Sequence, residues 1–151
     1  MNVSNTGATS QGHFIKEMFY LRLWHQHLLS SLPKSQLLAQ WRELNSIFVK
    51  EDRHILINYI YNYPKDDLFA YTQLVLLEMR KRNINIRTVD KMEKYFEGRS
   101  YKTLANPFEH HHTKEYLEIC YFNLKEKFMR GQKDFNTEQY ESLMSVYKKQ
   151  T

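Results

Sequence analysis

Glycine occurs four times, proline three times and cysteine once in 151 residues. So few chain breakers exclude an all-β sandwich or barrel, which needs a turn signal every eight to twelve residues. A single cysteine, Cys120, excludes an internal disulfide and fits a reducing compartment. It falls in the apolar run Ile119-Cys120-Tyr121-Phe122, where it reads as a small buried hydrophobe, not a nucleophile. No apolar run approaches the ~20 residues that cross a bilayer, and no basic-then-apolar signal segment opens the chain. The expectation is a cytoplasmic protein with no membrane partner. No glycine-rich phosphate loop, Cys-x-x-Cys pair or Gly-x-Ser-x-Gly elbow is present, so nothing supports a redox cofactor, another small-molecule cofactor or serine-hydrolase chemistry.

What is present is aromatic and basic. Eleven tyrosines and nine phenylalanines contribute to 42% hydrophobic content, far from a disordered composition. The formal charge is +5, which suits a polyanionic partner or simple solubility about equally. From Arg80 to Lys102 there are eight Lys/Arg against three acids, the most basic stretch of the chain. Cations neutralise phosphates, and interleaved aromatics stack on bases. Tyr59, Tyr61, Tyr63, Tyr71, Tyr95 and Tyr101 are candidates, although for any one of them a core position with a wet hydroxyl is the plainer reading.

The chain reads as an all-α domain of about five helices over 18–151, preceded by a small, polar, disordered extension over 1–17. Residues 19–33 mix apolar and polar types without a period and read as a packed, partly extended segment ending at Pro33. The first helix is expected over 34–50, with Leu37, Trp41, Leu44 and Phe48 as its apolar stripe and Gln36, Gln40, Glu43 and Ile47 flanking it. A second is expected over 52–62, with Ile55, Leu56, Tyr59 and Ile60 inward, stopped by Pro64. A third is expected over 66–82, capped by Asp66 or Asp67, with Leu68, Tyr71, Thr72, Val75 and Met79 inward. A fourth over 114–129 takes Thr113 as its cap, Tyr116, Ile119, Cys120, Asn123, Leu124 and Phe128 as one face, and Gly131 as its stop. A fifth over 137–148 is capped by Asn136 or Thr137, with Tyr140, Leu143, Met144 and Tyr147 inward.

His110, His111 and His112 invite a metal reading. Three consecutive residues cannot all face one ion from a helix or strand, and no ligand pair at i, i+4 accompanies them. A polar loop before the fourth helix is the stronger reading, and no metal is expected. Arg42-Glu43 is a second candidate. Most charged residues are solvated, but Glu43 borders the apolar stripe, and partial burial raises a carboxyl pKa toward values useful for proton transfer. Adjacent residues diverge by about 100° on a helix, so the two need not pair.

Three stretches carry a resemblance. "LRLWHQHLLSSLPKSQLLAQWREL" at 21–44, "YPKDDLFAYTQLVLLEMRKRNINI" at 63–86 and "EHHHTKEYLEICYFNLKEK" at 109–127 together resemble the pyrimidine dimer DNA glycosylases of the phage endonuclease type. The likeness is strongest to their bacterial branch, which opens Met-Arg-Leu-Trp-His. The resemblance implies an all-helical repair enzyme on double-stranded damaged DNA, with glycosylase and abasic-site lyase steps. In that family a backbone α-amine attacks the sugar at C1′ and forms a Schiff base. An α-amine, with pKa roughly 7.7–8.0, is partly neutral at pH 7 where a free lysine is not. By this resemblance Glu43 is the catalytic glutamate, the amine belongs at or next to Leu21, and Arg42 and Arg22 contact DNA. His25 of the Leu-Trp-His motif, with Arg80, Arg82 and Arg99 of the basic stretch, completes the candidate DNA contacts. About twenty residues precede Leu21, and "LNSIF" after Arg42-Glu43 lacks the basic residue of the phage enzymes. A non-catalytic DNA-binding relative and a protein-interaction module are the alternatives.

Overall fold

The computed structural model describes residues 23–51 and 53–151. The expected extension over 1–17, and Leu21 and Arg22, lie outside the described residues. Among those described, all regular structure is helical.

The leading segment packs as expected, and most of it is a 3₁₀ helix, Gln26–Ser31. Leu23, Trp24, Leu28, Leu29 and Leu32 are all buried. Helix α1 follows over Lys34–Val49, with Pro33 just ahead of its first turn, where a missing N–H costs nothing. Its buried side is Leu37, Gln40, Leu44, Ile47 and Phe48, so the core is centred nearer Gln40 and Ile47 than the apolar stripe implies, and Trp41 is only half-buried. Fully burying one such aliphatic side chain is worth about 1.5–3 kcal/mol.

The helix expected over 52–62 is absent. Turns lead into a second 3₁₀ helix, Asn58–Asn62, and Ile55 is 72% exposed. The apolar spacing explains this. The buried pair is Ile57 and Ile60, at i, i+3, which suits the three-residue period of a 3₁₀ turn and cannot make a 3.6-period stripe in so short a segment. The His54 carbonyl takes up the N–H groups of both Ile57 and Asn58 at 2.9 and 2.8 Å.

Helix α2 spans Lys65–Lys81, and all five expected inward residues are buried. Its cap differs from expectation: Pro64 holds the N-cap position, and Asp66 and Asp67 lie in the first turn. They still complement the helix dipole, but their carboxylates tether the following loop. Asp66 accepts from the Lys102 N–H at 2.9 Å and from Arg99 at 3.0 Å; Asp67 accepts from the Phe108 N–H at 2.9 Å. The Lys102 amide and the Arg99 guanidinium hold the Asp66 carboxyl below the usual range. A short helix α3, Asp90–Tyr95, interrupts the otherwise irregular stretch.

Helix α4 spans Lys114–Met129, with the Thr113 side chain accepting from the Tyr116 N–H, and Gly131 follows it at φ +85°. Its inward face is Leu117, Cys120, Tyr121 and Leu124, while Ile119 is 44% exposed. The face is rotated from expectation because Tyr121 stacks on Tyr147 at 4.0 Å. Helix α5, Thr137–Gln150, starts with a complete capping box between Asn136 and Gln139. The first 3₁₀ helix packs against α5, α2 and α4, and α1 packs against α3 and α2.

Candidate functional site

The backbone at Leu23 and Trp24 precedes the first 3₁₀ helix and belongs to no regular element. Buried there, its polar groups need partners, and side chains from three helices supply them. Gln40 Oε1 on α1 accepts from the Trp24 N–H at 2.8 Å. The Tyr71 hydroxyl on α2 lies 2.6 Å from the Trp24 carbonyl and 2.9 Å from Gln40 Oε1, so its one proton is shared between two acceptors. The Tyr116 hydroxyl on α4 donates to the Leu23 carbonyl at 2.6 Å. Burial pushes the Tyr71 phenol well above its ordinary range, so it stays a donor.

Two histidines complete this polar core. His25 is 2% exposed, and its Nδ1 accepts from the His27 N–H at 3.1 Å. Burial, reinforced by neighbouring His27, lowers its pKa to about 4. His112, expected in a polar loop with its two neighbours, is instead 5% exposed, while His110 and His111 are exposed as expected. The cause is Phe108. Its φ of +59° bends the chain, and its carbonyl accepts from the N–H groups of His111 and His112, turning His112 inward. His112 Nδ1 faces Gln26 Oε1 at 2.9 Å, and Nε2 faces the Tyr59 hydroxyl at 2.5 Å. An amide oxygen only accepts, so Nδ1 carries the proton and Nε2 accepts from Tyr59. Burial, with His25 and His111 nearby, lowers the His112 pKa to about 3. The ring stacks on Tyr116 at 5.0 Å and on His25 at 5.6 Å. Among the described residues no group of three ligands is placed to hold a metal ion.

Glu43 is half-buried on α1, three residues beyond Gln40 and on the same side of the helix. Arg42 points elsewhere. It is exposed and opens on a groove of about 860 Å³, which Trp41, Asn45, Arg87 and Lys91 also line. Arg42, Arg87 and Lys91 thus share one concave surface beside an aromatic ring. The last two were visible in sequence only as members of the basic stretch. The other candidates are dispersed. Arg80 is exposed at the end of α2. Arg82 pairs with Glu78 at 2.8 Å and donates to the carbonyls of Leu29 and Ser30, both at 3.2 Å, which ties α2 to the first 3₁₀ helix. Arg99 pairs with Asp66 and stacks over Tyr101. His25 lies in the core, 2% exposed. Of the candidate stacking tyrosines, Tyr71 is fully buried, whereas Tyr61 and Tyr95 are partly exposed and carry Arg53 and Lys65 over their rings.

Fold and site define a small, basic, all-helical protein with a polar core beneath its leading segment and a cationic groove on α1. Residues 21–92 match the family model described as pyrimidine dimer DNA glycosylase. The match covers just under half of the chain, begins at Leu21, takes in α1 and α2, and ends within α3. It supports that family and a DNA repair glycosylase role. It contains the first two stretches that carry the resemblance and stops short of the third, at 109–127. No curated protein and no solved structure matches the chain. No helix among the described residues is long and apolar enough to cross a membrane.

Proposed function

We propose that this protein is a DNA repair N-glycosylase with abasic-site lyase activity on pyrimidine-dimer-type damage in double-stranded DNA, allied to the bacterial branch of its family and working in the cytoplasm. One observation carries the reading. The family match begins at Leu21, and the Trp24 N–H is held by Gln40 on α1, three residues before Glu43. From Trp24 back to Leu21 the chain spans at most about 10 Å. Glu43 lies about 4.5 Å along the helix axis from Gln40. In a form of the chain that starts at Leu21, its α-amine is therefore within reach of the Glu43 carboxylate.

The chemistry balances in that arrangement. The amine nitrogen bonds to C1′ as the glycosidic C1′–N bond breaks, and the base leaves with the bonding pair and takes up a proton. Opening of the sugar ring gives the imine, with the proton going to O4′. Loss of a C2′ proton then expels the 3′ phosphate and cuts the strand. Glu43 is the group that moves these protons. Arg42, Arg87 and Lys91 bind backbone phosphates along the groove.

Borohydride added during incubation with abasic or ultraviolet-irradiated duplex should trap a covalent protein–DNA adduct, and Glu43→Gln should abolish it. Absence of an adduct from forms beginning at Met1, Met18 and Leu21 alike would refute the reading.

A further inference from the structure

We propose that a cavity of about 270 Å³, where the first 3₁₀ helix meets α2 and α5, is a binding site for one phosphate-type oxyanion. Its lining is Ser30, Ser31 and Leu32 at the end of the 3₁₀ helix, Arg82 at the C-cap of α2, and Gln139 and Ser142 on α5. It shares no residue with the groove that holds Arg42.

Ser31 carries the argument. It is 9% exposed, and its hydroxyl is the one buried side-chain polar atom among the described residues that no protein group satisfies. Buried hydroxyls ordinarily have a partner, and leaving one unpaired costs stability. The backbone around it is well bonded, since the carbonyls of Leu29 and Ser30 both accept from Arg82. Its neighbours thus fix the segment without relieving the hydroxyl.

Arg82 supplies the charge. Its Nε donates to Glu78 and its Nη2 to the two carbonyls, which holds the planar guanidinium still and leaves Nη1 outside these bonds. Glu78 offsets part of the charge but does not line the cavity. No carboxylate lines it, and every polar side chain that does can donate: a guanidinium, three hydroxyls and an amide. The Gln139 oxygen already accepts from the Asn136 N–H, so its amino end is the group left to donate. Such a lining selects an acceptor-rich anion. Donors arriving from three elements suit a tetrahedral phosphate better than a planar carboxylate. That group reaches the cavity as free phosphate or as the terminal phosphate of a strand.

Titration calorimetry of the full chain with inorganic phosphate tests this, with ionic strength held constant by chloride. The wild type should bind saturably, and its Tm should rise with phosphate. Ser31→Ala should keep the wild-type Tm in chloride, because the deleted hydroxyl holds no bond. It should nevertheless weaken phosphate binding about tenfold, the loss expected of one hydrogen bond to a charged group. Ser145→Ala, on α5 but outside the cavity, should change neither. Should Ser31→Ala fail to fold, Ser142→Ala, at an exposed position, carries the same expectation. Displacement of phosphate by a short strand with a 5′-phosphate, and not by its 5′-hydroxyl counterpart, supports the site and makes the strand end its source. Displacement by neither supports it with free phosphate as the source. Equal displacement by both overturns it, because the bound group then belongs to a strand backbone. Absence of saturable binding by the wild type, or binding by Ser31→Ala as tight as wild type, also overturns it. None of these outcomes depends on glycosylase or lyase activity.

Discussion

Lowering the pH from 7 to 5 will destabilise the fold through His25 and His112. In the unfolded chain both titrate near 6.5, whereas burial holds their folded pKa values at about 4 and about 3. Across this window the unfolded chain binds more protons, so stability rises with pH. The contribution of each imidazole is fully present above its unfolded pKa. It declines as the pH falls below 6.5 and stops declining once the folded pKa is passed. Each such proton is worth about 1.4 kcal/mol per pH unit. Between pH 6.5 and 5 that is about 2 kcal/mol for each ring and about 4 kcal/mol for the pair, a large share of a typical 5–15 kcal/mol stability. His27, half-buried with its pKa also lowered by burial, adds in the same direction. Asp66 and Asp134 are held below the ordinary carboxylate range, so their contributions are lost only at lower pH. The window above pH 5 therefore belongs to the imidazoles. Urea unfolding followed by circular dichroism at pH 7, 6 and 5 measures the loss. With m of roughly 2 kcal/mol per molar, the midpoint should fall by about 2 M. In His112→Gln, which keeps an amide donor and acceptor but cannot titrate, the slope should be about half. A wild-type midpoint flat over this range, or an unchanged slope in the variant, would refute the assignment of two neutral buried imidazoles.

The long helices were legible because their burial follows a 3.6-residue period. Helix α2 is the clearest case, with Leu68, Tyr71, Thr72, Val75 and Met79 all inward. The period misled where spacing was ambiguous. Ile57 and Ile60 suited a 3₁₀ turn better than a helix, and Ile119 lost its place in the core to Tyr121, whose partner Tyr147 is supplied by tertiary structure. Within the site, the divergence of Arg42 from Glu43 followed from helix geometry alone. The cations that join Arg42 did not, because Arg87 and Lys91 reach the groove only after the chain turns at Asn83, whose φ is +58°. The polar core was the least legible part. Gln40 and His112 are polar residues that face inward, so each reads as an interruption of an apolar pattern. What draws them in is a backbone segment remote in sequence for Gln40, and Gln26 and Tyr59 for His112.

Two further outcomes follow from the same contacts. Gln40→Leu keeps the volume of a buried side chain but leaves the Trp24 N–H without its acceptor; an unpaired buried donor costs about 1–3 kcal/mol. For a chain of this size that lowers Tm by about 2–4 °C per kcal/mol, and an unchanged melting curve would show that the bond adds nothing. The groove gives the sharper separation of roles among the arginines. A cation that neutralises a backbone phosphate releases a counterion, so its removal should lower the slope of log K against log salt by about 0.9. Arg42→Ala, Arg87→Ala and Lys91→Ala should each do so on duplex DNA with little change in Tm, because their side chains line an open groove. Arg82→Ala should do the reverse. Its guanidinium is taken up by Glu78 and by the Leu29 and Ser30 carbonyls, so it should lower Tm and leave the salt slope intact. A slope that falls for Arg82→Ala and holds for the three groove variants would overturn the assignment of the groove.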